Sequence, residues 1–385
     1  MPSNANWNYP TAMRFGAGRI AELPAACREL GMERPLLVTD PGLASLPMIE
    51  GAMAACGEAG LAIGLFSDIK ANPTGENVEA GVAVYRDGGH DGVIAFGGGS
   101  GLDAAKAVAL MAGQSCAIWD LEDVGDNWLN ADPDRIAPIV GVPTTAGTGS
   151  EVGRASVITD AANKVKKIIF HPKMLPQIVI ADPALTVGLP AHITAATGMD
   201  ALSHSLEAYS APGYHPMARG IAVEGIRLVK EWLEPAVSDG ANLEARGNML
   251  VASSMGATAF QRGLGAMHAL AHPLGALYDA HHGLLNAVLM PYVLVANRSA
   301  IESELDELAN WLRLGNTSDL IDWVLGLRQR IGIAETLADI GIDDTQAELV
   351  GQMAVADPTS GSNPIPFTAA QYTAIFQRAV RGDLG

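Results

Sequence analysis

Cysteine is scarce in this chain: Cys27, Cys56 and Cys116 are the only three, and no two of them form a Cys-x-x-Cys pair. That excludes a disulfide-framed scaffold and a cysteine-built zinc module, and it points to a reduced, cytoplasmic protein. Basic residues are short as well, with 24 Lys and Arg against 42 Asp and Glu and a formal net charge of −18. Nucleic-acid backbones and anionic membranes call for a basic surface, so neither is expected as the main partner. Part of the acidic excess is local: eleven Asp and Glu stand against three Arg over 299–349, the pattern of the solvated face of late helices. Long hydrophobic runs are missing too; the most apolar later stretch, 284–296, contains Asn286 and Pro291 and is shorter than a bilayer span. At the start, Met1–Trp7 shows no basic region followed by an apolar one, so no secretory leader is expected. No internal repeat or low-complexity tract is visible.

What the chain does have is apolar residues: 49% of 385, enough to bury a large core and to form two domains. Up to about residue 185, short apolar runs alternate with helical stretches, the signature of βαβ units around a parallel sheet. Strands are expected at 35–39, 62–66, 92–96, 138–142 and 178–180. After Pro183 the β-branched runs thin out, and 222–236, 243–260 and 301–314 read as helices at 3.6-residue spacing. The expectation is a Rossmann-like α/β domain over 1–184 and an all-α domain over 185–385. A cleft between such halves is a usual place for a ligand.

Four side chains have the types and spacings of one divalent-metal site: Asp200, His204, His268 and His282. In Gly198-Met-Asp-Ala-Leu-Ser-His204 the carboxylate and imidazole are four apart, which stacks them on one helical face within reach of a single ion. The second segment holds four of the nine histidines, His268, His272, His281 and His282, and His281 rivals His282 as a donor. Imidazoles with one carboxylate suit Fe2+ or Zn2+, and ligand counting does not choose between them. The surrounding Gly- and Ala-rich helical stretches offer few other polar partners.

Two glycine loops follow strands. Val93-Ile-Ala-Phe96 runs into Gly97-Gly-Gly-Ser-Gly-Leu-Asp103 and then a helix, a junction that exposes backbone N–H groups where a phosphate binds. As a dinucleotide fingerprint it is imperfect, because Leu102 stands where the third glycine belongs. The second loop, Pro143-Thr-Thr-Ala-Gly-Thr-Gly-Ser150, is dense in hydroxyls suited to ribose and diphosphate. Gly97, Gly98, Gly99, Ser100 and Asp103 in the first loop, and Thr144, Thr145 and Thr148 in the second, are candidate cofactor contacts. Asp40, at a strand end before Pro41-Gly42, either faces the adenosine ribose and disfavours NADP, or is a turn aspartate. Lys166, in a lysine-rich segment, could add a charge to the site or simply face solvent.

Together these blocks resemble the iron-containing, group III alcohol dehydrogenase family, which shares its dehydroquinate synthase-like architecture with glycerol dehydrogenase and dehydroquinate synthase. The resemblance spans Phe15-Gly-Ala-Gly18, Val38-Thr-Asp40, Asn72-Pro-Thr74, both glycine loops, Gly198 to His204, and His268 to Gly283. It implies metal ligation by Asp200, His204, His268 and His282, in preference to His281. It implies that Asn72, Gly98, Gly99, Ser100, Thr144, Thr145 and Lys166 line an NAD molecule, with Asp40 at its ribose. It places His272 beside nicotinamide and substrate as a positioning group or proton relay, and it implies a homodimer or higher homo-oligomer. The activity implied is hydride transfer between NAD(H) and a small alcohol or aldehyde, or a hydroxy acid semialdehyde, with the metal polarising the substrate oxygen. Two alternatives are a metal- and NAD-dependent lyase or cyclase of the dehydroquinate synthase type, and a non-catalytic metal- or nucleotide-binding protein. The cyclase would need a basic pocket, yet between 248 and 297 the only Lys or Arg is Arg262. This chain departs from many relatives at Asn363-Pro-Ile365, where Asn-Pro-Arg is usual, and at Gly153-Arg154-Ala155; neither difference names a substrate.

Overall fold

The computed structural model describes residues 10–385, so the reading of Met1–Trp7 lies outside the described residues. The chain divides into an α/β unit, 10–145 with 149–188, and a helical unit, Leu189–Gly385 with Ala146–Thr148.

The α/β unit carries β1 (Ala12–Phe15), β2 (Pro35–Val38), β3 (Gly64–Phe66), β4 (Gly92–Gly97), β5 (Ile139–Pro143), β6 (Ala155–Asp160), β7 (Val165–Phe170) and β8 (Ile178–Ala181). Its main helices are α1 (Leu23–Glu29), α2 (Pro41–Ala44), α3 (Pro47–Glu58), α4 (Gly75–Asp87) and α5 (Gly99–Met111). Six strands form one parallel sheet in the order β1-β8-β5-β4-β2-β3. Strands β2, β4, β5 and β8 are buried along their whole length, which is why they read as unbroken apolar runs rather than alternating ones. The pleat still sorts their side chains. Leu36, Val38, Val93 and Ala95 enter a core with Leu102 and Val108 of α5, while Leu37, Ile94, Phe96 and Val142 enter a second core with Leu23 of α1 and Ile49 of α3.

Three elements differ from expectation. β1 is a short edge strand hidden in the sequence by exposed Ala12 and Phe15. β6 and β7 form an antiparallel hairpin outside the main sheet, where the lysines of 164–167 mask a strand. The turn includes Lys164 at φ 53°, a left-handed conformation uncommon for a non-glycine residue. Lys166 is half-buried rather than solvent-facing.

The helical unit holds α6 (Ala191–Ser210), α7 (Pro216–Ser238), α8 (Leu243–Ala259), α9 (Ala266–Tyr278), α10 (His282–Trp311), α11 (Thr317–Arg330), α12 (Ala347–Ala356) and α13 (Ala369–Arg381). α6 is its axis, buried from Thr194 to Tyr209. Small residues let neighbours close on it: a Cβ on Gly198 would lie 2.2 Å from a Leu233 methyl, and one on Gly256 of α8 would lie 3.0 Å from the Ala201 carbonyl. The stretch 284–296, read as too short for a bilayer span, continues into a 30-residue helix that includes Pro291. By length and composition α10 could cross a membrane, but 67% of its apolar window is buried inside the protein, as in the core helix of a globular unit. Asn286, which marked the stretch as interrupted, faces a cluster of polar side chains.

Candidate functional site

That cluster is built from three helices. Asp200 and His204 project one turn apart from the buried face of α6, His268 lies in the first turn of α9, and His282 opens α10. The donor atoms of Asp200, His204 and His268 all lie within 4.8 Å of one another, and the three residues are buried. Nε2 of His282 is 3.7 Å from Asp200 Oδ1, and Nε2 of His268 is 4.0 Å from the same oxygen. His204 stacks on His268 with ring centroids 4.7 Å apart. Donors that share one ion at about 2.0–2.2 Å stand roughly 3–4 Å apart, and Asp200 Oδ1 keeps that spacing to Nε2 of His268 and of His282, at 4.0 and 3.7 Å. His281 is turned elsewhere: it is exposed, and its Nδ1 accepts the Leu284 N–H at 3.3 Å to cap α10.

The chemistry of the cluster fits a cation. Asp200 is 1% exposed, and among the described residues no Lys or Arg pairs with it. A buried carboxylate is costly without positive charge nearby. Burial strips water from His204 and lowers its pKa to about 4, keeping the ring neutral, while its buried Nδ1 meets no hydrogen-bond partner among the described residues. Around His268 burial also opposes charge, but Glu207 and Asp200 outweigh it and raise its pKa. The same negative surroundings that would hold a proton there attract a metal ion.

Three neighbours escaped sequence reasoning. Glu207, three residues past His204 on the same face of α6, places Oε2 2.6 Å from His268 Nδ1. Asn286, one turn past His282, donates from Nδ2 to Asp200 Oδ1 at 2.8 Å and lies 3.2 Å from Nε2 of both His268 and His282. Helical spacing flags both. Nothing local flags Asp357, whose Oδ2 accepts from His272 Nδ1 at 2.8 Å across 85 residues of sequence. The His272 ring in turn stacks on His282 with centroids 5.5 Å apart.

In the α/β unit, β4 lies between β2 and β5, so the loops leaving their carboxyl ends are neighbours, the usual ligand position in an open parallel sheet. Gly97 has φ +154°, which a side chain would strain, and its carbonyl accepts the Thr144 N–H at 2.9 Å. A Cβ on Gly98 would lie 3.2 Å from the Thr145 methyl. α5 begins at Gly99 with no side-chain cap, leaving its first N–H groups for an anion. Asp40 caps α2 through Oδ1, which accepts the Leu43 N–H at 3.1 Å, while Oδ2 points to the glycine loop, 3.7 Å from where a Gly97 Cβ would sit. Asn72 Oδ1 accepts from Lys166 Nζ at 2.8 Å, and Ser100 Oγ donates to the Ala71 carbonyl. Asp103 is an anchor: its oxygens take the Ser150 hydroxyl at 2.5 Å and the Val157 N–H at 2.9 Å, with buried Lys106 3.3 Å away. Thr148 belongs with Ala146 and Gly147 to the helical unit, where a Cβ on Gly147 would lie 2.8 Å from Thr197.

Residues 10–183 match the family model "Iron-containing alcohol dehydrogenase", and residues 194–380 match "Fe-containing alcohol dehydrogenase family, C-terminal". The chain belongs to the iron-containing alcohol dehydrogenase family. It is 37% identical to a 4-hydroxybutyrate dehydrogenase of Cupriavidus necator over 97% of this chain and 99% of that protein. A solved 1,3-propanediol oxidoreductase superposes with a TM-score of 0.92 at 35% identity, covering 97% of this chain and 100% of that one. The NAD+ complex of a sulfoacetaldehyde reductase from Bifidobacterium kashiwanohense superposes at 0.88 with 29% identity, over 98% and 99% of the two chains. This iron-containing dehydrogenase is therefore a metal-dependent alcohol oxidoreductase on the expected architecture. The cyclase alternative is not favoured. Arg262 is spent on the fold, donating to the carbonyls of Gly213, Ala208 and Tyr209 at the end of α6.

Proposed function

We propose that the enzyme exchanges hydride between NAD(H) and a short primary alcohol, its aldehyde or a hydroxy acid semialdehyde, with Fe2+ held by Asp200, His204, His268 and His282. The observation that carries this reading is the buried convergence of Asp200, His204 and His268 within 4.8 Å, with His282 Nε2 3.7 Å from the same carboxylate. Zn2+ is the alternative metal; four protein donors close a tetrahedral zinc site, whereas Fe2+ accepts the further ligand a substrate represents. When bound, the metal supplies Lewis acidity toward a substrate oxygen, and the nicotinamide supplies hydride exchange.

The rest falls to the chain's own residues. The N–H groups at the start of α5, with Gly97, Gly98 and Gly99 leaving room for close approach, would bind the diphosphate. Ser100, Thr144, Thr145 and Thr148, with the Asn72–Lys166 pair, would direct polar contacts to the rest of the dinucleotide, and Asp103 would hold the Ser150 end of the second loop in place. The Asp40 oxygen turned to the glycine loop would accept from ribose hydroxyls and repel a 2′-phosphate, which supports NAD over NADP. Asp357 holds a proton on His272 Nδ1, leaving Nε2 to accept the alcohol proton and return it. The names of the relatives, built on 4-hydroxybutyrate, 1,3-propanediol and sulfoacetaldehyde, support a short substrate with a terminal alcohol or aldehyde. The reading also takes the enzyme as a homo-oligomer of the cytoplasm, where Cys27, Cys56 and Cys116 stay as thiols.

His268→Ala tests the proposal. Purified without air or chelator, the variant should lose its metal and NAD-linked turnover on short alcohols and aldehydes while still quenching and shifting NADH fluorescence as wild type does. Loss of dinucleotide binding along with the metal would refute two separable sites.

A further inference from the structure

We infer that Glu207 is a positioning residue that decides which nitrogen of His268 is offered to the metal, and that the same carboxylate starts the helix carrying that ring. This rests on the metal reading above.

Glu207 is 6% exposed and lies seven residues past Asp200 on α6, so it shares their face. Its two oxygens do two jobs. Oε2 meets His268 Nδ1 at 2.6 Å, and Oε1 accepts the Met267 N–H at 2.7 Å. An ionised carboxylate only accepts, so Nδ1 must carry a proton, and in the neutral ring Nε2 is left with the lone pair. Nε2 is the atom that faces Asp200 Oδ1 at 4.0 Å.

The second job follows from how α9 begins. Its N-cap is Gly265, which has no side chain to cap the helix. The first N–H groups of a helix have no partner within it. Here the Ala266 N–H goes to Asn363 Oδ1 at 3.0 Å and the Met267 N–H to Glu207, both from distant segments. Gly265 admits the two together: a Cβ there would lie 2.8 Å from Asn363 Oδ1 and 3.2 Å from Glu207 Oε1. The negative carboxylate also stands at the positive end of α9. One side chain of α6 thus places the His268 backbone and sets the direction of its lone pair.

Glu207→Gln keeps the size but presents one acceptor and one donor where the site asks for two acceptors. If the glutamine oxygen keeps the Met267 N–H, its NH2 group faces Nδ1 and forces the proton onto Nε2. The dissociation constant for Zn2+ or Co2+, measured by competition with a chromophoric chelator, should rise about 10- to 100-fold. In 15N-histidine spectra of the metal-free protein in alkaline buffer, His268 should move from the Nδ1–H tautomer of wild type to the Nε2–H tautomer. A variant that binds metal within about threefold of wild type overturns the inference. So does a wild-type His268 found as Nε2–H, a result that needs no folded variant. A variant that loses thermal stability but keeps both tautomer and metal affinity reduces Glu207 to a helix cap and overturns it too. Wild-type protein that takes up no divalent metal sinks the metal reading itself, and the His268 tautomer still decides this one.

Discussion

Gly283→Ala should loosen the metal centre through backbone alone. Gly283 follows His282 in the first turn of α10, where a Cβ would lie 2.5 Å from the carbonyl oxygen of Ala196, 3.0 Å from its carbon and 3.2 Å from Asp200 Cβ. Carbon–oxygen contacts settle at about 3.3 Å or more, so the first turn of α10 must withdraw from α6 by roughly 0.8 Å. The obstacle is main chain, which has no rotamer to yield. Overpacking of this kind costs about 1–3 kcal/mol, against a helix-propensity gain of at most about 1 kcal/mol for Ala over Gly. His282 must move with the turn, away from an oxygen now 3.7 Å from its Nε2. A ligand misplaced by that much lowers turnover by up to about 100-fold. Thermal unfolding of the metal-free protein reads the packing cost, and metal competition with steady-state kinetics reads the ligand. Gly220, exposed within α7 and with nothing among the described residues within 4 Å of a Cβ, is the control, and Gly220→Ala should stabilise by about 0.5–1 kcal/mol. If both alanines stabilise equally and Gly283→Ala keeps wild-type metal affinity, the close approach of α10 to α6 is wrong.

Asp40→Ser should improve kcat/KM with NADP relative to NAD, because it removes the charge that would face a 2′-phosphate while keeping a hydroxyl to cap α2; an unchanged ratio counts against the ribose assignment. Asp357→Asn should lower kcat without loss of bound metal. Burial alone would push the Asp357 carboxyl up, but His272 and the Thr359 hydroxyl and N–H outweigh it and hold the carboxyl below the usual carboxylate range. With the folded value below the unfolded one, its stabilisation is present in full above about pH 4 and is lost as pH falls through the depressed value. The stability gap between wild type and Asp357→Asn should therefore narrow in acid below about pH 4, and a gap that stays constant there would refute the pair.

Strands β2, β4, β5 and β8 are legible because burial on both faces writes them as apolar runs, and the glycine loops because a tight approach leaves only glycine. The β6–β7 hairpin is not, since only alternate residues of β6 are buried and the lysines of β7 read as surface. The long α10 was legible only in parts, as an apolar stretch over 284–296 and a helix over 301–314, and Asn286 within the first part meets Asp200 Oδ1.

The sequence by itself placed the i, i+4 pair Asp200 and His204 and the glycine junction at Gly97, since both depend only on the geometry of one helix and one turn, and the class of chemistry came with the family resemblance of those blocks. Only the tertiary structure showed that Glu207 stands against His268 Nδ1, that Asp357 stands against His272 Nδ1, and that Arg262 closes a helix end. Those outcomes are set by where separate helices pack, and hydrogen bonds between residues as far apart as 85 positions leave no periodic trace in the chain.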